Sequence, residues 1–315
     1  MLRGLGLVAL LFASAAGIKP LARLPTMSSK SQDMCNVLAL SGGGSFGAVQ
    51  MGMLDLLLET QLVPDTYDII TGISAGGLNA GFLSYSSNVS SALPAIQSVY
   101  ANLTTDDIYT RDLFRILSEY SIYNTAPLRT TLAGILAGKT PAPDGPITIV
   151  GSTNVNTQTL DVFRFDTADD ADKISVLMAT SAIPLAFPPQ LINGHTYVDG
   201  GVISNEMIQQ AVSQKSCGFY NFTFISASSH SPSNITIDGL FSYITALGKL
   251  ILNTFDYQLA EYESVTCMEP PRGSIQACFP TSLDLNDYSI LDFDNGVELY
   301  ALGKSGVNCI SYNYC

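Results

Sequence analysis

Gly72-Ile73-Ser74-Ala75-Gly76 is the chain's most chemically suggestive pentapeptide. It follows the apolar run Tyr67–Ile73 and precedes a stretch that reads as a helix from Ala75. A serine in G-x-S-x-G at a strand-to-helix turn projects its hydroxyl clear of the backbone, and glycines on either side prevent clashes. The Ala75 amide then points into the same space, where it can stabilise an oxyanion. A second glycine loop, Gly42-Gly43-Gly44-Ser45-Phe46-Gly47, lies between Val37–Leu40 and a helical stretch, Ala48–Leu58. Its spacing also fits a dinucleotide loop, but that reading needs an acidic residue closing the next strand. That strand ends in Thr71-Gly72-Ile73-Ser74, with Asp65 and Asp68 at its start, so a nucleotide cofactor is not expected. Free amides at a helix start still attract negative charge, a phosphate or a transient oxyanion.

A serine hydroxyl needs a base. There are two histidines, His195 and His230. The order Ser74, Asp199, His230 is that of an α/β-hydrolase triad. His195 lies beside an Asn-Gly turn and reads as an ordinary surface residue. Asp199-Gly200-Gly201 offers another arrangement, because an aspartate at a strand end before two glycines can approach the serine directly. Aspartate is a weak base in water, and burial strengthens it. Spacing alone leaves dyad and triad open.

The elements that must position these groups alternate along the chain. Ile147–Thr153 and Leu160–Phe165 read as a hairpin, Asp172–Thr180 as a helix, and Thr196–Val198 as a strand running into Asp199. Glu206–Ser213 reads as a helix capped by Ser204 or Asn205, Phe222–Ala227 as a strand, and Gly239–Tyr262 as a long apolar helix. Strands alternating with helices argue for an α/β layered fold. The Ser-, Thr- and Pro-rich stretch 84–145 reads as loops and is a candidate lid.

Several pieces in one order resemble the patatin-like phospholipase family. They are the glycine loop from Gly42, the elbow Gly72–Gly76, Ala179-Thr180-Ser181-Ala182-Ile183-Pro184 with Phe187-Pro188-Pro189, Asp199-Gly200-Gly201 with Asn205, and the tail Leu291-Asp292-Phe293 to Gly303. The resemblance spans about Asn36 to Gly303. It implies a three-layer α/β/α fold with a mostly parallel central sheet. It also implies a Ser74–Asp199 dyad with oxyanion donors among the amides of Gly42, Gly43, Gly44 and Ala75, and it demotes His230. The implied activity is hydrolysis of lipid acyl esters through an acyl-serine, of phospholipase A or galactolipase type, without cofactor or metal. The family's usual Arg or Lys before the last loop glycine is Phe46 here, so the loop lacks a cation for an anionic headgroup. The alternatives are a triad esterase for soluble esters and a catalytically silent storage or interaction glycoprotein.

Composition narrows the partners. The chain has 315 residues, 47% hydrophobic and 13% charged, with a formal net charge of −13. Nucleic acid binding needs a positive surface, so it is not expected. A lipid or membrane-surface ester is the expected substrate, either zwitterionic, neutral or galactolipid rather than anionic, or met at acidic pH where the chain's charge falls. Arg3, the apolar run Leu5–Phe12 and Ala13-Ser14-Ala15 have the layout of a signal peptide over 1–15, followed by a loose lead-in over 16–35 and one domain over 36–315. Sequons at Asn88, Asn102, Asn221 and Asn234 and six cysteines fit a glycoprotein of the secretory pathway, secreted or vacuolar/lysosomal. The expected disulfides are the local pairs Cys267–Cys278 and Cys309–Cys315. No zinc-ligand spacing is present.

Overall fold

The computed structural model describes residues 34–112, 118–227, 246, 272–281 and 287–314. Apolar β-branched and aromatic runs form a nine-stranded sheet, and its centre is parallel. Strands β1 (Met34–Leu40), β2 (Ile69–Ile73), β5 (Ile147–Asn154), β9 (Phe219–Ile225) and β10 (Arg272–Pro280) run the same way. The edges are antiparallel: β6 (Thr159–Arg164) and β8 (His195–Asp199) on β5, β7 (Gln190–Ile192) on β8, and β11 (Val307–Tyr314) on β10. A two-residue pair, β3 (Thr110–Arg111) with β4 (Tyr123–Asn124), stands apart.

Both faces of the parallel strands are covered, which is why β1 reads as a continuous apolar run rather than an alternating one. Leu38 and Leu40 join the larger core, against α1 (Gly47–Glu59), α2 (Ala75–Leu83), α3 (Val89–Asn102), α4 (Ala126–Leu136), α5 (Asp170–Thr180) and α7 (Gly296–Ser305). Val37 and Ala39 face the other way, onto Ile208, Ala211 and Val212 of α6 (Ile208–Val212). The sheet is thus mixed but mostly parallel, with helices on both faces, as expected. Helices α1 and α7 cross at van der Waals distance: a Cβ on Gly303 would lie 2.1 Å from the Val49 carbonyl oxygen.

Three expectations are corrected. The stretch 84–145 is not mainly loop, because it carries α3 and α4. Val89, Ala92, Leu93 and Ile96 of α3 and Leu128, Leu132 and Leu136 of α4 fall at helical spacing and are buried in the main core. The helix after Asp199 is shorter than expected and carries no side-chain cap at its start; Glu206 accepts the Ile208 amide at 2.6 Å instead. The disulfides among the described residues are non-local: Cys35 pairs with Cys217, and Cys278 with Cys309. The sheet explains both. In register, Cys35 lies opposite Tyr220, three residues past Cys217, and Cys278 lies directly opposite Cys309. Strands β10 and β11 were not expected from sequence. The expected leader 1–15, Asn234, His230 and, apart from residue 246, the helix Gly239–Tyr262 lie outside the described residues.

Candidate active site

Strand β5 acts as a common template for the two halves of the site. Along its edge opposite β6, β5 pairs first with β2, ending at Ile73 opposite Gly151. It then pairs with β8, with Asp199 opposite Ser152. Because β2 runs parallel to β5 and β8 antiparallel, their carboxyl ends meet head to head. Ser74 leaves one end and Asp199 closes the other.

The elbow is sharp. Ser74 has φ 54° and ψ −125°, a conformation that side-chain-bearing residues rarely adopt and that costs on the order of 1–3 kcal/mol. Its glycines are required by space: a Cβ on Gly72 would lie 2.1 Å from the Gly76 carbonyl oxygen, and one on Gly76 would lie 2.4 Å from those of Leu40 and Ser41. The Ser74 N–H donates to Thr180 Oγ1 at 2.8 Å, and the Thr180 hydroxyl donates to the Gly151 carbonyl at 2.6 Å. The Ser74 side chain lies beside the Asp199 carboxylate and favours its charged form. Ser74 and Asp199 are both buried.

Asp199 also accepts the Gly201 N–H at 2.8 Å. Burial pushes its carboxyl up to about 7, although the nearby Ser74 side chain and the Gly201 N–H pull the other way. A carboxyl in that range holds or takes a proton near neutral pH, as a general base requires.

The glycine loop closes the site from β1. The Gly42 N–H donates to Asn205 Oδ1 at 2.7 Å, so it anchors the loop and does not face the elbow as an oxyanion donor. The amides of Gly43 and Gly44 have no hydrogen-bond acceptor among the described residues. Ala75, first in α2, has no acceptor within its own helix for its amide. These three donors are open to an anion. Gly44 has φ +55°, and a Cβ there would lie 2.2 Å from the Ile290 carbonyl oxygen. Phe46, which stands where the resemblance places a cation, is fully buried in the main core and contacts no solvent.

Some of this machinery escaped sequence reasoning. Asn205, expected as a helix cap, instead holds a loop 163 positions away. Gln50 donates to the Ser41 and Ile225 carbonyls at 2.8 and 3.1 Å, and Asn79 donates to Gln50 at 3.1 Å and accepts from Tyr100 at 2.8 Å. This buried relay fixes the backbone where β1 and β9 end. The available signal was one side-chain amide amid apolar neighbours in each of two helices, since a buried amide must find partners. His195 opens β8, whose other end is Asp199, on the order of 13 Å away at about 3.3 Å per residue, so it is not part of the site. Among the described residues no group of His, Cys, Asp and Glu is arranged to hold a metal ion.

An α/β sheet with a serine elbow beside a buried carboxylate defines the class of site. A family model described as patatin-like phospholipase matches residues 38–212, more than half of the chain. The chain belongs to that family. It is 28% identical over 185 residues to the probable lipid hydrolase 463L of Invertebrate iridescent virus 6, covering 56% of this chain and 62% of that one. It is 25% identical over 182 residues to the uncharacterized protein R571 of Acanthamoeba polyphaga mimivirus, covering 56% and 61%. The matched region thus spans about three-fifths of each viral relative. A crystal structure of VipD from Legionella pneumophila superposes with a TM-score of 0.40 at 12% identity, covering 89% of this chain and 68% of that one.

Proposed function

We propose that the chain is a serine lipid acyl hydrolase working through a Ser74–Asp199 dyad. The observation that carries this reading is the strained elbow serine set beside a buried carboxylate poised near neutrality. Ser74 Oγ attacks the ester carbonyl carbon, and its proton passes to Asp199. The carbonyl oxygen becomes an oxyanion, held by the amides of Gly43, Gly44 and Ala75; one such donor is typically worth about 3–4 kcal/mol. Collapse breaks the ester C–O bond, and the leaving alkoxide takes the proton from Asp199. Water then attacks the acyl-serine, giving its proton to Asp199. Collapse releases the fatty acid, and Ser74 recovers its proton.

Lipid rather than a soluble ester is supported by the family and by the rim. Asp199 donates its backbone N–H to Ala182, and the exposed Leu185 follows three residues later. Val202 and Ile203, also exposed, come straight after Gly201. Exposed apolar side chains on both segments that meet at Asp199 suit an apolar substrate. The acidic chain and the buried Phe46 favour zwitterionic or neutral headgroups. The disulfides Cys35–Cys217 and Cys278–Cys309 support an oxidising, secretory compartment. Asn88 and Asn102, at the ends of α3, are the better glycan acceptors. Asn221 sits within β9, where its amide bonds Asn36.

The test is labelling with a fluorophosphonate ester, the adduct being mapped by mass spectrometry. The expected adduct is on Ser74, absent in Ser74→Ala, lost in Asp199→Asn and retained in His230→Ala. Loss in His230→Ala would replace the dyad by a triad. No adduct on folded protein would favour a silent fold.

A further inference from the structure

The elbow's shape is held by a side chain from a different helix. The Ser74 amide belongs to a residue at φ 54°, and its only acceptor among the described residues is the Thr180 hydroxyl, at 2.8 Å. The same hydroxyl donates to the Gly151 carbonyl at 2.6 Å, and Thr180 is fully buried at the last position of α5. Gly151 stands opposite Ile73, and the next residue, Ser152, stands opposite Asp199. One oxygen therefore ties the backbone of the serine to the residue on β5 that lies between the serine's strand and the aspartate's. The carbonyl of Gly151 also abuts Gly200, where a Cβ would come within 2.6 Å. Thr180 suits the task because its branched Cβ limits the hydroxyl's rotamers. Its methyl occupies space left by Gly77, where a Cβ would lie 2.9 Å from Thr180 Cγ2.

We propose that Thr180 is a positioning residue: its hydroxyl is a strut that holds the Ser74 backbone in the elbow conformation and sets the serine's reach to Asp199. The inference rests on the Ser74–Asp199 reading for its catalytic consequence but not for its structural one. Thr180→Val keeps the shape and leaves both the Ser74 N–H and the Gly151 carbonyl without this partner. Thr180→Ser keeps the bridge. Thr71 supplies the control, because it is buried in β2 and its hydroxyl has no hydrogen-bond partner among the described residues. Thr71→Val therefore deletes an equally buried hydroxyl that holds nothing.

The experiment measures fluorophosphonate labelling of Ser74, resolved into reagent affinity and rate of the covalent step, beside amide exchange at Ser74. A misplacement near 1 Å costs on the order of 10²-fold in rate, so Thr180→Val is expected to slow the covalent step by about that factor with affinity unchanged. Thr180→Ser and Thr71→Val are expected to label near the wild-type rate, and Ser74 amide exchange is expected to accelerate in Thr180→Val alone. Wild-type labelling and exchange in Thr180→Val would overturn the proposal. So would equal losses in Thr180→Val and Thr180→Ser, which would mean that packing and not the hydroxyl matters. If Thr180→Val does not fold, Thr180→Ala is read in the same way. If the wild-type protein does not label, the hydrolase reading falls, and Ser74 exchange alone decides the strut.

Discussion

Replacing Asp199 by asparagine should make the protein more stable, and by an amount that grows with pH. Burial raises the Asp199 carboxyl from 3.8 in the unfolded chain to about 7 in the folded one. Below the lower value the group is protonated in both states and pH has no effect. Between the two values the unfolded chain releases the proton and the folded chain keeps it, so rising pH favours unfolding. The loss is about 1.4 kcal/mol per pH unit and ends once the folded carboxyl has ionised. Between about pH 5 and about pH 8, wild-type protein should therefore lose about 3 kcal/mol that Asp199→Asn does not. The other carboxylates are common to both proteins and cancel in the difference. Chemical denaturation of the two proteins across that range measures it directly. The same ionisation should govern the wild-type labelling rate, which should rise with pH and level off above about 7. A stability difference that stays constant from about pH 5 to about pH 8 would refute the reasoning: the carboxyl would then be ionised throughout and too weak a base for the dyad.

Two further outcomes follow from the anchors. Asn205→Ala should cost about 1–3 kcal/mol by leaving the Gly42 amide unpaired in a buried site, and should slow Ser74 labelling as the glycine loop loosens. Asn205→Asp, which keeps the acceptor, should recover part of both, as denaturation and labelling rates would show. Removing the Cys35–Cys217 bridge, which closes 182 positions, should cost about 5 kcal/mol, against about 4 kcal/mol for Cys278–Cys309, which closes 31. Paired Cys→Ala variants compared by denaturation would test that order.

The elbow was legible in the sequence because its causes are local. A strand, a G-x-S-x-G turn and a helix start lie within a few residues, and the clashes that make Gly72 and Gly76 necessary arise mainly from the elbow and the neighbouring end of β1. The apolar runs of β1, β2 and β9 were readable because strands buried on both faces must be apolar throughout. Aspartate motif, glycine loop and elbow could each be named, but not their distances from one another. That depends on β8 returning antiparallel along β5, so that Asp199 meets Ser74 end to end, and local patterns do not encode which strands pair or in which direction. The same limit misled the disulfides, where nearness in sequence stood in for nearness in the sheet. It also hid Asn205, whose side chain could cap its own helix or hold a loop 163 positions away. Sequence determined which groups could do the chemistry. Only the packed sheet decided which of them meet, because a contact between distant segments forms only when the strands that carry them are paired.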